Sequence, residues 1–409
     1  MGLREDALEL HRANRGKVAV ASKVQVRNAR DLSLAYSPGV AEPCKEIAAD
    51  PETVFEYTNR GNMVAVVSDG TAVLGLGDIG PLAGLPVMEG KAVLFKEFAG
   101  IDAFPICLDT KNIDEIVQAV RWLEPTFGGI NLEDISGPRC FEIEARLQTL
   151  GIPVFHDDQH GTAVVCCAAL VNALKVVGKD PAAVKVVVNG AGAAGIAITR
   201  MLIQSGITAT RIRICDKSGI LFPGNTANNP YQEALAKETN PGLEKGTLNE
   251  AMAGADVFIG VSAPNIVTPA MVQSMNERAV VFGMANPIPE IMPEAAKAAG
   301  AAVVGSGRSD LPNQINNILG FPGIFRGALD VRATVINEAM KVAAARAIAG
   351  LVSEAELTVD YIIPKPFDRR VVPAVALAVA RAAMETGVAR SVKSDAELEQ
   401  GLRQRGIIE

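Results

Sequence analysis

Apolar positions along this chain fall into short unbroken runs separated by stretches with a helical repeat. The runs MVAVVSD, TAVLGLG, AFPICLD, GGINLED and IPVFHDD read as buried strands, the first two joined by a turn at Asp69-Gly70. Between them, PVMEGKAVLFKEFAGI places Val87, Leu94, Phe95 and Phe98 at helical positions, and NIDEIVQAVRWLEP and GPRCFEIEARLQTL also read as helices. Strand and helix in alternation predict a mostly parallel sheet. GTAVVCCAALVNALKVVG then reads as a long apolar helix bridging to a second series of strands: VKVVVN, RIRICD, ADVFIGVSA, AVVFGMANP and AAVVGSG. Beyond Phe321 the chain turns helical. Residues 1–60 read as helix and then loop, with a Ser37-Pro38-Gly39 turn. The expected architecture is α/β in two domains. Residues 1–160 form the first and residues 161–385 a Rossmann-like, doubly wound dinucleotide-binding domain, followed by a helical tail over 386–409.

A chain of 409 residues exceeds one ordinary core, in keeping with that division. Aromatic residues are only 4% of the chain and the net charge is −7, which argues against a nucleic-acid or anionic-membrane partner. Six cysteines form no C-x-x-C pair and sit mostly in apolar runs, so reduced, buried thiols are expected rather than disulfides or zinc ligands. The longest apolar run, 163–174, is too short for a bilayer, and the N-terminal stretch has no apolar signal core. A cytoplasmic location is the expectation.

G-x-G-x-x-G occurs twice, and context separates the copies. Gly190-Ala191-Gly192-Ala193-Ala194-Gly195 follows a buried strand and leads into a helix, so backbone N–H groups at a helix N-terminus can meet a pyrophosphate. The next strand ends in Asp216, about 20 residues on, where a ribose-binding acid is expected. The other copy, Gly75 to Gly80, runs at once into Pro81 and carries Asp78, which argues for a tight turn or a substrate-side loop. Asp216 favours the free 2′-hydroxyl of NAD, whereas Lys217 and Ser218 could hold the 2′-phosphate of NADP. Both cofactors stay open, with a lean to NADP.

Two neighbouring strands end in paired acids, Glu133-Asp134 and Asp157-Asp158. C-terminal ends of parallel strands face one crevice, and four carboxylates converging there call for a cation, with Mg²⁺ or Mn²⁺ suited to oxygen donors. The segment His156-Asp157-Asp158-Gln159-His160 imitates the H-E-x-x-H zinc motif, but Pro153 and Gly161 argue against the continuous helix which that motif needs.

The segments SLAYSPGVAEPC, GDIGPLAGLPVMEGKAVLFK, NLEDISGPRCFEIE, FHDDQHGTAVV, GAGAAG, MANPIPE, LPNQINNILGFPGIFRGALD and KPFDRRV, in this order, resemble the short bacterial-type malic enzymes across nearly the whole chain. The resemblance implies oxidative decarboxylation of L-malate to pyruvate and CO₂ with NAD or NADP and Mg²⁺ or Mn²⁺. The first domain would then hold malate and metal. It also implies that Tyr36 is the general acid, Lys91 the general base and Glu133, Asp134 and Asp158 the metal ligands. Asp157 would support Lys91 and the metal. Asn286 and Asn317 would sit at the nicotinamide and the substrate carboxylate, and the assembly would be a homodimer.

The chemistry suits those groups. Hydride leaves carbon 2 of malate only as its hydroxyl loses a proton, and a lysine serves as base only if burial or a nearby cation depresses its pKa. Loss of CO₂ from oxaloacetate needs an electron sink at the carbon 2 oxygen, which a chelated metal supplies. A metal-independent malate or 2-hydroxyacid dehydrogenase is the alternative, but it has no use for paired strand-end acids. Counter-charges for the malate carboxylates are left open, with Arg326 and Lys96 as candidates.

Overall fold

The computed structural model describes residues 2–409. Four parallel strands, β1 (Met63–Ser68), β2 (Asp102–Cys107), β3 (Gly129–Leu132) and β4 (Val154–His156), form a first sheet in the order β2-β1-β3-β4. A second sheet has the order β10-β9-β8-β5-β6-β7. Its members are β5 (Val186–Asn189), β6 (Ile212–Asp216), β7 (Gly219–Ile220), β8 (Val257–Gly260), β9 (Val280–Gly283) and β10 (Val303–Ser306), and only β7 runs antiparallel among them. Strands β1, β3, β5, β8 and β9 are buried along almost their whole length, which is why they appear in the sequence as continuous apolar runs. In the second sheet, β5 pairs with β6 on one side and β8 on the other, so the chain order reverses beside β5 and opens a crevice at its C-terminal end. One apolar core runs through both sheets and the C-terminal helices, from Val64 and Phe95 to Ile324 and Val375.

Three local expectations are corrected. Residues 71–77 are not a strand. They form a loop with a short turn at Leu74–Leu76, pinned because Thr71 and Asp69 are claimed by Arg139 and because Gly70, at φ +69°, lies against the backbone of Gly80. The helix expected from Pro86 starts earlier and spans Gly80–Ala99, with Pro81 in its first turn, where a missing N–H costs nothing. The long bridging helix starts at Asp157, not Gly161, and runs to Val177. Acids at its first two positions suit the positive end of the helix dipole. Its 21 residues are long and apolar enough to cross a membrane by length and composition, yet 72% of the apolar window is buried inside the protein.

Candidate active site

The C-terminal ends of β3 and β4 deliver the acids. Glu133 and Asp134 follow β3, and Asp157 and Asp158 open the Asp157–Val177 helix directly after β4. Carboxylate oxygens of Glu133, Asp134 and Asp158 lie within 4.8 Å of one another. Asp134 adopts φ +54°, a left-handed conformation, while its N–H donates to Asp158 Oδ2 at 2.8 Å. Asn131 Nδ2 donates to Glu133 Oε2 at 2.8 Å and orients that carboxylate. Burial and then repulsion by Asp158 push Glu133 up to about 7, and burial with repulsion by Asp157 pushes Asp158 up to about 6. Three crowded carboxylates, of which Glu133 and Asp158 are held above the usual carboxylate range, form an all-oxygen donor set that fits a hard divalent cation.

Lys91 reaches this cluster from the Gly80–Ala99 helix. Its ammonium lies 2.6 Å from Asp157 Oδ2 and 2.8 Å from Glu133 Oε1, and 4.2 Å from the centre of the Phe321 ring. Burial pulls its pKa down, as anticipated, but the Asp157 and Glu133 carboxylates outweigh that effect and raise it overall. Asp157 is fully buried and also accepts a hydrogen bond from Asn317. Gly161, one turn along, must be glycine, because a Cβ there would stand 1.8 Å from Asp157 Oδ1.

Across the cleft, Gly190 follows β5 and Gly192 caps the Ala193–Gln204 helix, whose first turn has no side-chain cap. A Cβ on Gly195 would meet the Gly190 carbonyl at 1.7 Å, and one on Gly190 the Val261 carbonyl at 2.5 Å. Gly192, by contrast, has nothing within 4 Å. This open cradle at a free helix N-terminus fits a pyrophosphate. Ala193, Ala194 and Asn286 line the same cleft of about 990 Å³ as Lys91, Glu133 and Asp158. A smaller cavity of about 580 Å³ continues past Gly190 and Gly192 to Asp216 and Lys217. There Asp216 Oδ1 accepts from the N–H and hydroxyl of Ser218 at 2.7 and 2.6 Å.

The structure thus brings Lys91, Glu133, Asp134, Asp157, Asp158, Asn286, Asn317 and the Gly190–Gly195 loop to one cleft. It does not bring Tyr36 there, since that side chain is 70% exposed on the N-terminal segment and is not among the cleft-lining residues. Arg326 and Lys96 are also remote. Arg326 is buried against Asn62 and Asp330, and Lys96 pairs with Asp102. Besides Lys91, Lys17 lines the cleft, and its ammonium donates to the Pro86 carbonyl at 2.7 Å. His160 is engaged with Glu144 at 2.9 Å and Lys341 at 3.1 Å, while His156 ends β4 outside the helix, so the two do not form a zinc pair. Gly75 of the other glycine loop lines the cleft itself and lies against the backbone of Asn286.

Two residues escaped the sequence reading. Arg139 ties the site's floor together, bonding Asp69 at 2.7 Å, Thr71 at 2.8 Å and Ser136 at 3.2 Å. Its signal was a lone cation directly after a strand-end acid pair. Glu290, fully buried, accepts from the N–H of Ser262 at 2.8 Å and of Ala285 at 3.0 Å, holding two cleft loops at one carboxylate. No local pattern marks it, since its partners lie in loops that follow two different strands.

A doubly wound dinucleotide domain facing a lysine and a carboxylate cluster across one cleft defines an oxidoreductase of the NAD(P)-linked class. Family models described as malic enzyme, N-terminal domain, and malic enzyme, NAD binding domain, match residues 14–148 and 159–384. The chain belongs to the malic enzyme family. It is 62% identical over 410 residues to a bifunctional malic/malolactic enzyme of Bacillus subtilis, covering 100% of both chains. It is 59% identical over 376 residues to an NAD-dependent malic enzyme of Geobacillus stearothermophilus, covering 92% of this chain and 78% of that one. The crystal structure of malic enzyme from Pyrococcus horikoshii superposes with a TM-score of 0.94 at 50% identity, covering 99% of this chain and 96% of that one.

Proposed function

We propose that this cleft oxidises L-malate and decarboxylates the product, releasing pyruvate and CO₂ while reducing NAD⁺ or NADP⁺. The observation that carries the reading is the Lys91 ammonium held between Asp157 and Glu133, beside a three-carboxylate cluster and opposite the dinucleotide loop. Glu133, Asp134 and Asp158 would hold Mg²⁺ or Mn²⁺, which supplies Lewis acidity at the carbon 2 oxygen. With Glu133 given to such a cation, one of the two charges that hold Lys91 protonated would be withdrawn, and burial would then favour its neutral form. Neutral Lys91 takes the carbon 2 hydroxyl proton as hydride leaves carbon 2 for the nicotinamide. The carbon 3–carbon 4 bond of oxaloacetate then breaks, CO₂ departs, and the bond's electron pair is held as the enolate of pyruvate, which must be protonated on carbon 3. Asn317, bonded to Asp157, orients that carboxylate and the substrate beside it.

For the cofactor we infer NAD, against the lean drawn from sequence. Ser218 spends both its N–H and its hydroxyl on Asp216 Oδ1, which takes that serine from a 2′-phosphate and leaves Lys217 alone to meet one in the cavity that Asp216 also lines. The test follows reduced nicotinamide by its near-ultraviolet absorbance with L-malate, Mn²⁺ and each cofactor, while pyruvate and lactate are assayed. Equal yields of reduced cofactor and pyruvate are expected, faster with NAD. Reduced cofactor without pyruvate would mean a plain dehydrogenase and would sink the decarboxylation reading. Lactate without net reduced cofactor would mean that the hydride is returned to pyruvate before release. The assembly we propose is a homodimer, supported by N-terminal helices that bury nothing within one chain.

A further inference from the structure

Buried acids in this chain meet basic side chains. Asp69 pairs with Arg139 and Asp330 with Arg326, both at 2.7 Å, Glu144 meets His160 at 2.9 Å, and Glu133 and Asp157 share Lys91. Asp134 belongs to the carboxylate cluster that fits a cation. Glu290 is the exception. It is fully buried and, among the described residues, forms no ion pair. A buried carboxylate without a counter-charge is costly. Here Oε1 accepts from the N–H of Ser262 at 2.8 Å and from its hydroxyl at 3.3 Å, and Oε2 accepts from the N–H of Ala285 at 3.0 Å. Asn189 Nδ2 donates to the same hydroxyl at 2.7 Å and so turns its proton towards Glu290. Each of these neighbours donates, which is what an ionised carboxylate requires. Burial pushes the pKa of Glu290 up, and the donors oppose that shift. Gly260, the last residue of β8, makes the room, since a Cβ there would stand 2.4 Å from the Glu290 carboxyl carbon.

The acid lies behind the path that a dinucleotide must take. Ser262 lines both the large cleft and the cavity that runs from Gly190 and Gly192 to Asp216. Ala285 lines the cleft beside Asn286. A cofactor with its ribose at Asp216 and its pyrophosphate at Gly192 has to pass Ser262 for its nicotinamide to approach Lys91. The loops after β8 and β9 thus flank the nicotinamide end, and Glu290 is one hydrogen bond behind both. A nicotinamide ring is cationic when oxidised and neutral once it has taken the hydride. A fixed charge in a low-dielectric wall distinguishes the two forms. The carboxylates of the cluster do so less, because a bound cation offsets them.

We propose that Glu290 is a positioning residue whose charge selects the oxidised cofactor. It holds the Ser262 and Ala285 loops in place and attracts the cationic ring, and the attraction ends when hydride arrives. NAD⁺ is captured in preference to NADH, and the reduced product leaves more readily. This assignment rests on the malate oxidation with NAD proposed above.

Titration calorimetry on the Mn²⁺-loaded protein without malate tests it, because binding is then read without turnover. NAD⁺, NADH and ADP-ribose, which lacks the nicotinamide, are titrated into wild type, Glu290→Gln and Glu290→Asp. Glu290→Gln keeps the shape and removes the charge. It is expected to raise the Kd for NAD⁺ about tenfold and that for NADH less than about twofold, so their ratio shifts about fivefold or more. Its Kd for ADP-ribose is expected to stay as in wild type. Glu290→Asp keeps the charge on a shorter stem, and its ratio is expected within about twofold of wild type even where both Kd values rise. Equal losses for NAD⁺ and NADH in Glu290→Gln would overturn the proposal, because loosened loops alone do that, and so would no change in either. A ratio shifted in Glu290→Asp as far as in Glu290→Gln would overturn it as well, since the charge is then not the cause. If Glu290→Gln does not fold, Glu290→Ala replaces it, with water meeting the freed N–H groups and the same shift expected. Malate turnover of the wild type, measured alongside, reports on the reaction itself, so an unshifted ratio beside an active wild type sinks the role of Glu290 alone.

Discussion

At the scale of single residues, the site depends on where a Cβ can and cannot be placed. Gly192 and Gly195 belong to one motif and look alike in sequence, yet their surroundings differ. Gly192 faces open space at φ −90°, a conformation any residue adopts, whereas a Cβ on Gly195 would drive into the Gly190 carbonyl. Gly192→Ala is therefore expected to fold with unchanged stability, within about 0.5 kcal/mol, and to raise the KM for the dinucleotide about tenfold or more by filling the pyrophosphate cradle. Gly195→Ala is expected to separate helix from strand and cost about 1–3 kcal/mol or more of stability. Thermal unfolding and cofactor titration on the two variants check this. A Gly192→Ala protein with normal cofactor affinity would remove the loop from pyrophosphate binding. Lys91 shows the same dependence on surroundings in its electrostatics. The sequence argues for a depressed pKa from burial, but its two carboxylate neighbours reverse the sign until a cation engages one of them.

At the scale of elements, the Gly80–Ala99 helix sets the position of Lys91 through packing one turn further on. Phe95 is fully buried, with its ring edge-on to Phe321 at 4.8 Å and to Phe325 at 5.2 Å, and Phe321 also lies under the Lys91 ammonium. Phe95→Ala is expected to cost about 3–5 kcal/mol in urea unfolding. It should also lower kcat more than it raises the KM for malate, because Lys91 loses its fixed place while the acid cluster stays. An unchanged kcat would show that the helix holds Lys91 without that aromatic contact. What was legible in the sequence follows from the same packing. Strands buried on both faces announced themselves as apolar runs, and the acids at the ends of β3 and β4 could be brought together because parallel strands share one edge. Residues 71–77 misled because their apolar alternation imitates a strand, while their conformation is set by Arg139, 68 residues away from Thr71 along the chain. The start of the long helix misled because Asp157, Asp158 and Gly161 resemble a loop, although acids are favoured in a first helical turn. Tyr36 could be named from its motif but not placed, since its side chain stands 70% exposed and outside the cleft lining.

For the whole molecule, the two halves meet through a pair of packed helices whose N-termini carry the two sites. Asp157–Val177 begins in the acid cluster, and Ala193–Gln204, packed against it, begins in the dinucleotide cradle. Both sites thus sit at the N-termini of one packed helix pair, above an apolar core that runs through both sheets. Dialysis against a chelator should separate these layers. Burial and mutual repulsion raise Glu133 to about 7 and Asp158 to about 6, which makes proton uptake by the empty site easier, so the metal-free protein is expected to keep its far-ultraviolet circular dichroism and lose malate turnover. Mn²⁺ or Mg²⁺ should restore turnover, and Mn²⁺ at a hundredfold excess over its Kd should add about 2.7 kcal/mol of stability, because only the folded chain assembles the three ligands. Asp158→Asn should lose most of that Mn²⁺-dependent gain while unfolding like the wild type without metal. Turnover that survives exhaustive chelation would reduce Glu133, Asp134 and Asp158 to a buried acid cluster with no part in the chemistry. The decarboxylation step would then need another electron sink, and among the described residues that line the cleft the Lys91 and Lys17 ammoniums are the cations to offer.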